Sequence, residues 1–318
     1  MTQAIQWNGK TITEPGIYTG ISLEDYHNKL DLLDAPSVSK SALKHIFPSL
    51  KGSPKQFWNL WKFNPQHVVK KPSKEMDLGK AVHALMLGDE VFVDKFAVQP
   101  EEYPDKKTGG PKPWSNNAGF CKNWNEEQAE SGKTVVTLEQ IEKITRMAED
   151  AARDPMVQQG ILNGLVEQSM FVKDEKTGLW FRSRIDNLAV DGFYADLKTT
   201  SSMDERFIRK HIRDNGYFIQ AGGARLSART FGLPFDSFWN IYVSTADTPD
   251  TQAIELDPEV IDAGEQAIRV GLDRISECMK TGIWPGARPC DGRPIRMGDY
   301  AMQDIENDLK SQDLEQAA

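Results

Sequence analysis

The sequence predicts a mixed α and β fold, of the α/β (α+β) class. Residues 167–200 read as three short strands joined by two turns, and residues 237–244 form a further apolar, aromatic run typical of a buried strand. Residues 138–154 and 258–281 carry apolar residues at helical spacing. A chain of 318 residues with 39% apolar and 27% charged residues can bury a large core, in one elaborated domain or two closely packed ones.

Taken in order, residues 1–36 are an extended lead-in with a turn at Pro15-Gly16 and a short strand after it. Ser22, with Asp25 three residues on, starts a helix. Ser39 or Ser41 caps a short helix over 42–47, and Ser53-Pro54 begins another carrying Phe57, Trp58 and Trp61. Those aromatics suit core packing, with base stacking as the alternative. Residues 76–96 open as a helix with Leu78, Val82, Leu85 and Met86 on its apolar face. His83 falls on that face, where a lone histidine is ordinarily a satisfied core residue.

Residues 97–120 read as a loop, rich in Gly, Pro and Lys between 101 and 117, an excursion uncommon in a compact domain unless disordered or functional. Helices follow over 121–131 and 138–154, the second opened by a capping box at Thr137 and Gln140. In the 167–200 stretch, residues 174–178 form one hairpin loop and Asp191-Gly192 a second, giving a three-stranded meander. Residues 204–215 make a basic helix, and 217–231 a second helix stopped by Gly232 and Pro234. The long helix over 258–281 ends at Gly282, and from Tyr300 the acidic tail is expected to be disordered.

The formal charge of −9 argues against a nucleic-acid protein only if it is evenly spread. Between Lys40 and Lys80, nine lysines face two acids; from Asp247 to the end, sixteen acids face seven bases. The basic segment can face a phosphate backbone, although a lysine-rich surface is equally compatible with plain solvation. Three widely separated cysteines form no metal-ligand pair, and no secretory leader or membrane-length apolar run is seen. A cytoplasmic protein is the expectation.

The chemistry concentrates in the meander. Asp196 and Lys198 stand two apart on a strand, so both side chains emerge on one face, and Asp186 ends the strand before it. Mg2+ takes one or two carboxylates, waters and a substrate phosphate. Asp186 and Asp196 can supply the carboxylates, the Leu197 carbonyl a further ligand, and Lys198 can orient or deprotonate an attacking water. The bland alternative is a pair of surface acids and a surface lysine on a hairpin. Asp-x-Lys alone is unspecific; an apolar strand before it and Thr-Thr and a basic helix after it add weight.

Four passages then carry a resemblance: Gly16-Ile17-Tyr18 with residues 21–27; Ser39-Lys40-Ser41 leading to Ser53-Pro54; residues 78–85; and Gly178-Leu179 through Arg182, Arg184 and Asp186 to residues 196–200. The chain resembles the PD-(D/E)xK nuclease superfamily, and within it the exodeoxyribonuclease VIII (RecE-type) exonucleases of phages and prophages. The resemblance implies a restriction-endonuclease-like core, a central mixed sheet flanked by helices, over residues 76–299. Before it comes a lead-in and helical segment packed on the core (1–75); after it the tail (300–318).

The resemblance further implies that His83 joins Asp186 and Asp196 at the metal, that Lys198 is the catalytic lysine, and that Gln220 belongs to a Gln-x-x-x-Tyr element. Glu167 matches an acid that precedes these in some relatives. Ala224 stands where the tyrosine is usual, with Tyr217 a partial substitute one turn earlier. Arg182, Arg184, Arg206, Arg209, Lys210 and Tyr217 become candidate DNA contacts, ion pairing within the fold being the alternative for each arginine. The implied activity is Mg2+-dependent (with Mn2+ as substitute) degradation of linear duplex DNA from 5′ ends, leaving 3′ single strands for recombination. The implied partners are DNA ends, a single-strand annealing recombinase and further copies of the chain, with no membrane. The alternatives are a structure- or site-specific endonuclease and a non-cleaving DNA-end-binding module.

Overall fold

The computed structural model describes residues 4–69, 81–82, 92–93, 95–106, 109–162, 168–185, 191–288, 294 and 297–316. The elements in chain order begin with β1 (Ile5–Gln6), β2 (Gly16–Thr19), α1 (Leu23–Asn28), β3 (Ser37–Ser39), α2 (Lys40–Leu43) and α3 (Pro54–Leu60). The middle contains β4 (Phe96–Val98), β5 (Glu102–Pro104), β6 (Pro111–Pro113), α4 (Gly119–Glu130), β7 (Thr134–Val136), α5 (Leu138–Ala151) and α6 (Pro155–Gln158). Then follow β8 (Ser169–Lys173), β9 (Trp180–Arg184), β10 (Phe193–Thr200), α7 (Glu205–Asp214) and α8 (Tyr217–Phe231). The chain closes with β11 (Ser237–Ser244), β12 (Thr251–Glu255), α9 (Pro258–Thr281) and α10 (Asp299–Gln316).

Local signals act where the sequence places them. Ser22 accepts from the Asp25 amide and Ser53 from the Gln56 amide, satisfying N–H groups that a helix start leaves open. Thr137 and Gln140 form the reciprocal capping box. Gly232 and Gly282, with φ +66° and +70°, end α8 and α9 in the left-handed conformation that costs glycine nothing.

Two ladders meet at α8. The larger sheet has the order β1-β2-β8-β9-β3 and is mixed: β2, β8 and β9 run antiparallel, while β1 and β3 join parallel at the edges. The smaller has the order β10-β11-β12, with β10 and β11 parallel over eight registered pairs and β12 antiparallel. The expected three-stranded meander is therefore corrected. Its first hairpin, β8–β9, forms, but among the described residues the third strand ladders with β11 rather than β9. A parallel partner from forty residues downstream leaves no mark in local pattern. The lead-in is also more than a covering segment, since it supplies three of the five strands of the larger sheet.

The core follows the strand alternation. Met170, Ile185, Tyr194 and Phe238 face Ala221, Ala224 and Ala228 of α8, whereas Ala195 and Ile241 face Ile161 on the other side of β10 and β11. Val243 and Leu197 pack on Ile144, Met147 and Ala151 of α5. A fourth cluster joins α8 to α2, α3 and α9 through Leu43, Phe57, Trp61, Ile219, Ile268 and Leu272. Ion pairs close the rim between α8 and α9: Arg225 to Glu265 at 2.6 Å and Arg229 to Glu265 at 2.9 Å.

One expectation about a loop changes. The basic excursion holds a small antiparallel hairpin, β5–β6, turning at Gly109 (φ +69°). The acidic tail carries a helix over Asp299–Gln316, a stretch free of Gly and Pro and built largely of good helix formers. Most of the helix expected over residues 76–96 lies outside the described residues. Among them no helix is long and apolar enough to cross a membrane.

The approach of α8 to α9 has the least tolerance. A Cβ on Gly264 would lie 1.9 Å from the Phe218 carbonyl oxygen, and one on Gly222 would lie 2.3 Å from the Glu265 amide nitrogen. Both obstacles are backbone and cannot rotate away. Gly264→Ala is expected to lower unfolding stability by at least about 1–3 kcal/mol, as overpacking does, measured by urea denaturation against the unaltered chain.

Candidate nuclease site

The site is built on the face of β10 that looks toward α8. Asp196 and Lys198 share that face, as strand period requires. Asp196 is 2% exposed and the Lys198 side chain 12%. Gln220, in the first turn of α8, lies between them: its amide nitrogen donates to Asp196 Oδ1, and its carbonyl oxygen accepts from Lys198 Nζ at 3.3 Å. Lys198 Nζ also pairs directly with Asp196 Oδ2. Carboxylate, ammonium and amide therefore close a triangle, and the two partners fix which way the amide of Gln220 points.

Around the triangle stands a shell of rings and cations. Lys198 Nζ lies 4.6 Å from the centroid of the Tyr217 ring, and Lys40 Nζ from α2 lies 4.7 Å from the same centroid. Burial pushes the Tyr217 hydroxyl up to about 12, so it stays neutral. His211 of α7 stands edge-on to Tyr217 with ring centroids 5.4 Å apart, and 6.0 Å from Tyr242 of β11. Burial first, then Lys198, hold its imidazole below the usual histidine range, with Asp214 opposing them and Lys40 and Lys44 adding to them.

Lys40 and His211 are components that sequence reasoning did not assign. The Ser39-Lys40-Ser41 passage was a signal for the first; nothing local marks the second. Two more buried groups lie beside the triplet. Neither amide atom of Asn240 nor the hydroxyl of Tyr242 has a hydrogen-bond partner among the described residues. Each such orphan costs about 1–3 kcal/mol.

The remaining candidates divide. Asp186, His83 and Glu167 lie outside the described residues. Among the described residues no three His, Cys, Asp or Glu side chains cluster as metal ligands, so Asp196 is the one described carboxylate of the proposed set. Arg206, Arg209 and Lys210 are exposed on α7, with Arg209 paired to Glu205 at 2.5 Å and Lys210 to Asp214 at 3.6 Å. Arg182 points into the fold. It is 6% exposed, donates to the Tyr26 carbonyl and lies 4.9 Å from that ring's centroid. The alternation of β9 sends residues 180, 182 and 184 toward the lead-in and Phe181 toward α8. Arg184 donates to the Ile21 carbonyl at 3.0 Å on the same side. Ala224 is fully buried in the cluster that holds Tyr194 and Phe238.

With this geometry in place, the sequence matches the family described as a PDDEXK-like domain of unknown function (DUF3799) over residues 39–292. The chain belongs to that PDDEXK-like family. Its restriction-endonuclease-like fold accords with the fold class expected from sequence. The PDDEXK-like chain is also similar in fold to a candidate exonuclease from Eubacterium rectale, known from a crystal structure at 2.19 Å. The TM-score is 0.58 at 14% identity, covering 90% of this chain and 98% of that one. No curated protein matches the sequence.

Arg182 has a measurable consequence through its neighbour Lys62, whose ammonium donates to the Lys29 carbonyl at 2.8 Å. Burial, and then Arg182, lower the Lys62 pKa from 10.5 to about 7. Between these values the unfolded chain binds the extra proton, so this group makes stability rise with pH across that window. Below about pH 7 the folded protein bears the full cost of the buried ammonium. Lys62→Met is expected to be more stable than the unaltered chain at pH 7 and below, the gap closing toward pH 10.5. Urea midpoints of both proteins measured across that range check it.

Proposed function

We propose that the protein is a Mg2+-dependent exodeoxyribonuclease that degrades linear double-stranded DNA from its 5′ ends and leaves 3′ single strands. One observation carries the reading: Asp196 and Lys198 share a strand face and are tied together by Gln220, within a chain of the PDDEXK-like family. Surface acids and lysines on a hairpin, the bland alternative, are not enclosed to 2% and 12% exposure.

The buried Asp196 carboxylate is a hard anionic donor and suits Mg2+, or Mn2+ in its place. Asp196 and the Leu197 carbonyl would hold the ion together with Asp186 and His83. The ion would lower the pKa of a bound water and polarise the phosphoryl oxygen. Lys198 orients the attacking water and offsets charge developing on the phosphate. Gln220 keeps Lys198 and Asp196 in fixed relation. The ammonium groups of Lys40 and Lys198 beside Tyr217 attract the phosphodiester. Arg206, Arg209 and Lys210, exposed on α7, extend the contact along the duplex. Work at DNA ends, in oligomers and beside a single-strand annealing recombinase, rests on the RecE-type resemblance, and a cytoplasmic setting on the sparse, unpaired cysteines.

Linear duplexes labelled at the 5′ or the 3′ end, incubated with Mg2+, test the reading. Early loss of the 5′ label with survival of the 3′-ended strand is expected. Asp196→Ala and Lys198→Ala are each expected to slow degradation by about 10²-fold or more while duplex binding is largely retained. Cutting of closed circular duplex would favour an endonuclease, and binding without any cutting a non-cleaving end-binding module.

A further inference from the structure

We propose that Asn240 and Tyr242, on the strand beside the Asp-x-Lys triplet, are positioning residues of the same site. The proposal rests on the reading of Asp196 and Lys198 as catalytic. β11 runs parallel to β10 with Asn240 in register with Asp196 and Tyr242 in register with Lys198. Registered residues on neighbouring strands lie about 4.8 Å apart and project on the same side of a sheet. Asp196 and Lys198 therefore each have a polar side chain directly beside them, on the face covered by α8.

Stability gives no reason for these two groups. Asn240 and Tyr242 are both 0% exposed. Their amide and hydroxyl have no hydrogen-bond partner among the described residues. An apolar side chain of similar size at 240, or phenylalanine at 242, would remove the orphaned atoms and keep the packing. Their neighbours Phe238, Ile241 and Val243 show what the strand uses where packing alone decides. Other buried groups, the Tyr194 and Ser227 hydroxyls among them, are also without a partner among the described residues, but Asn240 and Tyr242 stand in register with the two reactive side chains, and that coincidence marks a functional constraint.

The geometry supplies the role. Gln220 donates to one oxygen of Asp196, and Asn240, in register with Asp196 on the adjacent strand, is placed to limit rotation of the same carboxylate. Tyr242, beside Lys198, completes the wall that Tyr217 begins around the ammonium. Burial, and then Tyr217, raise the pKa of the Tyr242 hydroxyl, so it stays neutral.

The test uses the full chain on linear duplex with Mg2+, comparing unaltered protein, Asp196→Ala, Asn240→Leu and Tyr242→Phe. Melting temperature, kcat and KM are measured for each. Asn240→Leu and Tyr242→Phe are expected to melt at or above the unaltered temperature while kcat falls about 10-fold or more and KM holds, because misplacement of reacting groups acts on turnover. Unchanged kcat in both variants, with Asp196→Ala inactive, overturns the positioning role alone. A fall in melting temperature that parallels the loss of activity overturns it too, since the groups would then be serving the fold. An unaltered protein inactive on DNA overturns the catalytic reading on which the proposal stands. Should Asn240→Leu fail to fold, Tyr242→Phe, which removes a single oxygen, decides.

Discussion

Helix α8 touches backbone on one flank and a sheet on the other, and it can do so only because its side chains there are small. Gly222 meets the backbone of α9, Gly223 would place a Cβ 2.7 Å from the Phe181 ring, and Ala221, Ala224 and Ala228 lie on the strands. Larger residues would lift the helix away. Gln220 stands at the start of this close-packed run, and its reach to Asp196 and Lys198 depends on the helix lying this deep. The absent tyrosine at position 224 fits the same constraint. Where the strand already supplies Tyr194 and Tyr242, the helix has to supply a methyl group.

Depth creates an electrostatic problem that the triangle answers. A carboxylate 2% exposed is costly unless paired and hydrogen-bonded. Lys198 provides the charge and Gln220 the hydrogen bond, each from a different element. Buried ion pairs of this kind seldom add net stability compared with apolar packing. A chain with a large apolar core has no structural need for one on β10, and on the proposed reading the pair serves catalysis instead. Reactive groups held in fixed relation before substrate arrives need little reorganisation when charge develops.

The helix caps, the hairpin at residues 174–178 and the ends of α8 and α9 were legible because each is a signal between residues a few positions apart. So was the shared face of Asp196 and Lys198, which needs only the strand period. Register was not legible. The parallel ladder of β10 with β11 joins segments separated by a helical hairpin, and nothing in either strand names the other. That ladder makes Asn240 the neighbour of Asp196, so a residue read as part of an apolar strand entered the site only through topology. The side on which Arg182 lies was hidden for a related reason. Its proximity in sequence to Asp186 suggested the catalytic face, but alternation along β9 turned it to Tyr26. Gln220 and Lys40 were marked by family resemblance rather than by pattern.

Net charge was the least informative quantity in the sequence, and His211 shows why. The chain carries a formal charge of −9. Yet the charges that bear on this imidazole are three lysines, 198, 40 and 44, against one carboxylate, Asp214, and their balance acts with burial to disfavour its proton. Those lysines come from α2, the turn after it and β10, segments brought together only by the packing of α2 on α8. Charges beyond about 8–10 Å in physiological salt are largely screened, so an approaching phosphate answers to this local set and not to the sum. The fold gathers lysines from three separate segments of an acidic chain around one half-buried histidine.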